Sequence, residues 1–148
     1  MNRQHSLLAS VMAGAVSVVI GLASPPAQAQ VGLALSPTVV KAHQDDLEAM
    51  LADLSKVQSA DTARSYESYL AGQMPKYVAN HKALHHTAMP GFVASKQAGK
   101  HTADQQKLSD AVDKLSDTHY PKLAAEMDRV EKLNPGLKKH FDVLRTLN

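Results

Sequence analysis

The stretch TADQQKLSDAVDKLSDTHYPKLAAEMDRVEKLNP, residues 102–135, places Leu108, Val112, Leu115, His119, Leu123, Met127 and Val130 at steps of three and four. That spacing gathers them on one face of a helix of more than eight turns. Thr102 followed by Gln105 is a capping box: the threonine oxygen takes an N-terminal amide and the glutamine side chain reaches back to the threonine amide. Asn134-Pro135 ends the run and caps a short last helix, whose Leu137, Phe141, Leu144 and Leu147 share a face.

Upstream the same pattern recurs twice. Ser36-Pro37 is an N-cap with proline at the first helical position, followed by Val40, His43, Leu47, Met50, Leu54 and Val57. Ser59-Ala60-Asp61 caps a second stripe of Ala63, Tyr66, Leu70, Met74, Tyr77, His81 and Leu84 that reaches about His86. Met89-Pro90-Gly91 predicts the end of that helix, with a long connection through Gly99 and Lys100 containing a short turn around Phe92 to Lys96. Pro75 and Pro121 lie inside helices, and Pro75 removes the backbone bond to Ala71 at about 3 kcal/mol, which predicts a kink near Gly72. No segment sustains the period-two alternation of a half-buried strand. The fold class is therefore all-α: an antiparallel helical bundle of three long helices plus a short C-terminal fourth. Its expected core comprises Leu47, Leu54, Leu70, Leu108, Leu115, Leu123, Val130 and Phe141.

The N-terminal residues read differently. Arg3 precedes an uncharged apolar run from Leu7 to Leu22; Ser24-Pro25-Pro26 breaks it and Ala27-Gln28-Ala29 is a small-x-small cleavage site. This predicts a cleavable signal peptide over 1–29, a flexible N-terminus over 30–35, and a single helical-bundle domain over 36–148. The mature chain is expected to be periplasmic or secreted and soluble, with no transmembrane span, the apolar run falling short of the ~20 residues a span needs.

Composition narrows the chemistry further. Of 148 residues none is Cys or Trp, two are Phe and four are Tyr. Thiolate metal sites, iron–sulfur clusters, thiol catalysis and disulfides are excluded, and an aromatic stacking platform has little to be built from. Sixteen Lys and Arg against fourteen Asp and Glu is near balance, which speaks against a nucleic-acid partner. No G-x-S-x-G elbow, H-E-x-x-H or phosphate-cradling glycine loop occurs, and the chain reads as non-enzymatic. Charge is segregated, however. Residues 68–103 contain no Asp or Glu but carry Lys76, Lys82, Lys96 and Lys100 with His81, His85, His86 and His101.

Two readings follow from that region. As an acid-free surface it points to a binding or interaction protein whose partner is an envelope protein or an anionic surface, with no cofactor. As a ligand set it points to metal, because His81 and His85 stand one helical turn apart and can face one ion. His86 turns about 100° from His85, and Met89 and His101 approach only if the chain folds back. Such a soft His/Met set without a local carboxylate favours copper or zinc over magnesium or calcium. His119, on the third stripe beside Tyr120-Pro121, reads as a hydrogen-bonded core residue.

Two resemblances accompany these readings. Asp46-Leu47-Glu48-Ala49-Met50 on the first helix, with His140 on the last, resembles the axial Met and His arrangement of cytochrome b-562-type bundles. That likeness implies a periplasmic carrier of haem b held by Met50 and His140, although residues 134–148 are shorter than that family's final helix. Leu47, Leu54, Val57, Asp61 and Ala63, with Leu123-x-x-Glu126-x-x-Arg129 and Asn134-Pro135-x-Leu137, is similar to a group of small exported bacterial helical-bundle proteins of unassigned function. That likeness implies the fold and no catalytic residue.

Overall fold

The computed structural model describes residues 34–147; the expected signal peptide 1–29 and the first part of the expected flexible segment, 30–33, lie outside them. The described chain is all-helical, with no strand among the described residues. Helix α1 (Pro37–Lys56) begins where Ser36 accepts the Val39 amide. Helix α2 (Ala60–Lys82) begins in a reciprocal capping box between Ser59 and Thr62, a threonine doing what Glu or Gln more often does. Helix α4 (Ala103–Leu133) opens on the predicted Thr102–Gln105 box, with bonds of 3.1 and 3.0 Å. The Asn134 side chain accepts the Gly136 amide over a 3₁₀ turn (Pro135–Leu137) that leads into α5 (Lys138–Thr146).

The predicted connection over 89–100 is corrected by the structure. Helix α2 widens into a π-helical segment (Ala83–Ala88) and continues as α3 (Met89–Gln97). The Met89 amide donates to the Leu84 carbonyl, five residues back. Proline fits here because its ring clashes with the carbonyl four residues earlier in a tight α-turn and it has no N–H to offer; the wider turn relieves both demands. The stop comes about two turns later than Gly91. At Gly99, φ +66°, the Gly99 amide bonds Lys96 and the Lys100 amide bonds Ser95, the two bonds of a Schellman ending. Pro75 and Pro121 both lie within continuous helices.

Two apolar clusters hold the bundle. The larger joins α1, α2, α4, the 3₁₀ turn and α5 through Leu54, Leu70, Val130, Leu137 and Phe141, all with essentially no exposure. The smaller joins Leu35, Val40, Leu84, Ala88, Phe92, Val112 and Leu115. Leu35, expected in the flexible N-terminus, is buried in it. Leu108, expected in the core, packs only at its edge. Arg129 bonds the carbonyls of Val57 and Leu54, closing the C-terminal end of α1 onto α4. No helix among the described residues is long and apolar enough to cross a membrane.

Each long helix passes from one cluster to the other at polar residues. On α1, His43 and Asp46 lie between Val40 and Leu47; on α2, Asn80 and His81 lie between Tyr77 and the following Leu84; on α4, His119 and Tyr120 lie between Leu115 and Leu123. A polar layer is thereby sandwiched between two apolar ones.

Candidate metal centre

The layer brings His43 together with His81 and His85, which are distant from it in sequence. His43 from α1, His81 from α2 and His85 from the π segment each offer one ligand atom within 4.8 Å of the other two. Ring centroids are 4.5 Å apart for His81 and His85, 5.0 Å for His43 and His85 and 5.4 Å for His43 and His81. His43 and His81 are buried, 4% and 6% exposed. Beside them is a cavity of about 30 Å³ lined by His43, Asp46, Met50, Tyr77, His81 and Tyr120, with Leu144 and Leu147 of the C-terminal end. A water needs roughly 10–15 Å³ measured this way, so the space suits an ion or one or two waters.

Hydrogen bonds fix the rings. His81 Nε2 lies 2.8 Å from the Leu147 carbonyl oxygen. A carbonyl only accepts, so this nitrogen carries the proton and Nδ1 of the neutral ring keeps the lone pair. Such a carbonyl–histidine contact is how ligating histidines are commonly oriented. The Tyr120 hydroxyl lies 2.9 Å from Nε2 of both His43 and His85. With one proton it donates to one ring and accepts from the other. The phenol therefore bridges two of the three imidazoles.

Burial controls the charge. His43 is pushed down to about 4, first by desolvation and then by His85 and His81, with Asp46 pulling the other way. His85 is pushed down to about 4 by desolvation, then by His81 and His86. His81 is lowered by desolvation, against its bond to Leu147. At neutral pH all three rings are uncharged and hold lone pairs, the form that binds a metal. Tyr120 is pushed up to about 12 by burial. Asp46, whose side chain is 6% exposed, is ion-paired at 2.8 Å with Lys76 and accepts from Asn80 at 2.6 Å.

For metal–nitrogen bonds of roughly 2.0–2.1 Å the ligand atoms must close to about 3.5 Å from one another.

The residues singled out in sequence are distributed unequally. His81 and His85 stand together as expected. His86 is exposed, with its ring 6.0 Å from that of His81. Met89 packs at the edge of the smaller cluster and His101 meets Phe92 edge-on. Met50 lines the cavity; His140, its partner in the haem reading, is not among the lining residues and is half-buried on α5. His119 is displaced from the core: its ring is 23% exposed and lies 4.0 Å from Glu48 and 2.8 Å from the Thr118 hydroxyl. Tyr120 takes the inward place instead. Sequence reasoning missed His43 as a ligand and Tyr120 as its bridge. The available signal was that His43 and His81 are each a histidine set in an otherwise apolar stripe.

No family model, curated protein or solved structure matches the chain.

Proposed function

We propose that this protein is an exported, non-enzymatic metal-binding protein, an antiparallel helical bundle that holds one copper or zinc ion at His43, His81 and His85. One observation carries the reading: three neutral imidazoles from separate turns of two helical rods converge beside an ion-sized cavity between apolar clusters. Buried polar groups that bring no net stability are expensive to retain, and imidazole is a strong donor for these two metals. Export is supported by the signal-like sequence of residues 1–29. Titration of the purified protein with zinc and, anaerobically, with copper tests the site. One ion per chain is expected, with affinity lost in His85→Ala while the helical circular dichroism is retained. Several ions per chain, or binding indifferent to His85, refutes it.

A second reading rests on Lys82, His86, Lys96 and Lys100, which are exposed on the acid-free stretch. Lys76 does not belong to that surface charge, being paired with Asp46. These groups form the face for an anionic surface or envelope partner. Salt-sensitive binding to anionic vesicles, lost when the three lysines are neutralised, checks it.

A further inference from the structure

The metal reading leaves open which ion the site takes, and the charges around the three imidazoles bear on that choice. Asp46 is the one carboxylate lining the cavity, and its charge is already answered by Lys76 and by the Asn80 amide. Residues 68–103, which supply His81 and His85, contain no acid. The two phenols at the cavity, Tyr77 and Tyr120, are neutral in the ordinary protonated form of a tyrosine. His86 faces His81 from the exposed side and His119 stands toward Glu48; neither brings negative charge to the cavity. The donors are thus three neutral rings, two of which, His43 and His81, line the cavity together with the Met50 side chain.

A neutral donor set leaves the whole charge of the ion uncompensated. The solvation lost on burying an ion grows with the square of its charge, so a divalent ion forfeits about four times what a monovalent one does at equal radius. A divalent ion also fills its coordination with waters or an added anion, and about 30 Å³ takes at most one or two waters and no larger anion. Cu(I) needs neither. It carries a single charge and accepts imidazole and thioether donors.

Resting on the metal reading above, we infer that the site takes Cu(I) in preference to Zn(II) and Cu(II). Three imidazoles form the coordination sphere, Met50 is the adjacent soft donor, and the Tyr120 hydroxyl is displaced as a neutral neighbour. Displacement follows from position: the hydroxyl is 2.9 Å from Nε2 of His43 and of His85 and, with its one proton, occupies the lone pair of one of them. Tyr120 therefore competes with the metal for that lone pair, and removing its hydroxyl frees the nitrogen and releases the other ring from its tautomer.

Anaerobic competition of the purified protein against a chromophoric Cu(I) chelator, with a parallel zinc competition against a zinc-responsive dye, tests this. The Kd for Cu(I) is expected to lie at least about a hundredfold below that for Zn(II). Tyr120→Phe is expected to tighten Cu(I) binding by about tenfold, the equivalent of one hydrogen bond no longer competing. Zinc binding equal to or tighter than Cu(I), with both lost in His85→Ala, overturns this inference and leaves the three-histidine site standing. The same holds for weaker Cu(I) binding by Tyr120→Phe, or for a tyrosinate-to-Cu(II) absorption band lost in that variant. Metal binding unaffected by His85→Ala, or no binding of either ion, overturns the site itself. The wild-type comparison alone decides selectivity, whether or not the variants fold.

Discussion

In the larger apolar cluster Leu54, Leu70, Val130 and Phe141 are fully enclosed and require only contact. Two or three turns along the same helices His43, His81 and Asp46 are buried with Tyr120 half-buried beside them, and each must find a hydrogen-bond or ionic partner. Burial in the first region contributes stability roughly in proportion to area; in the second it costs desolvation, which partners only offset. Three adjacent rings that must all remain neutral gain little for the fold beyond what leucines of similar volume provide. A bundle built for stability alone has no use for such a layer, and this contrast is what supports the proposed binding site.

The contrast breaks first in the larger cluster. Phe141→Ala, at no exposure, is expected to lower the unfolding free energy by about 3–5 kcal/mol in urea titration. A loss under about 1 kcal/mol means that α5 does not close the core.

Acid sharpens the contrast from the other side. His43 and His85 protonate near 6.5 in the unfolded chain and near 4 in the folded one. As pH falls through 6.5 the unfolded state takes up more protons, so stability falls, and it levels off near pH 4 where the folded rings are protonated too. The contribution is fully present above 6.5; for His43 the loss approaches about 3 kcal/mol. Urea unfolding of metal-free protein between pH 7 and 4 measures it. A His43→Leu variant should show a shallower acid slope, and equal slopes contradict the assignment.

At neutral pH His43→Leu also separates the two kinds of burial. Removing a desolvated ring and filling its space with an apolar side chain is expected to change stability by less than about 1.5 kcal/mol, while metal affinity is lost. A large destabilisation with metal binding retained makes the layer structural. Ser59→Ala gives the smallest effect, about 1 kcal/mol from loss of the α2 cap bond to Thr62, with metal affinity unchanged because the cap is remote from the layer.

What could be read in the sequence divides along the same line. Caps and stripes are local, and Ser36, Ser59, Thr102 and Asn134 start helices where their side chains can accept the first free amides. Leu47, Leu54, Leu70, Leu115, Leu123, Val130 and Phe141 are buried as their spacing implied. The π segment was hidden because Pro90-Gly91 has the composition of a stop, and whether the chain stops or widens depends on Leu84, Ala88 and Phe92 having a cluster to enter. The site was half legible: His81 and His85 are one turn apart, but His43 joins them only through the packing of α1 against α2 and the π segment. Between Leu115 and Leu123, helical spacing allowed either His119 or Tyr120 to turn inward. The longer phenol, with two imidazoles to bridge, took that place.

Long-range ¹H–¹⁵N spectra of the imidazole nitrogens, recorded while one equivalent of Cu(I) is added anaerobically, test the three-histidine site most directly. The account predicts that metal-free His81 is protonated at Nε2, and that His43, His81 and His85 shift together and saturate at one equivalent while His119 and His140 stay in place. Movement of only one of the three, or saturation at His86 and His101 instead, contradicts it.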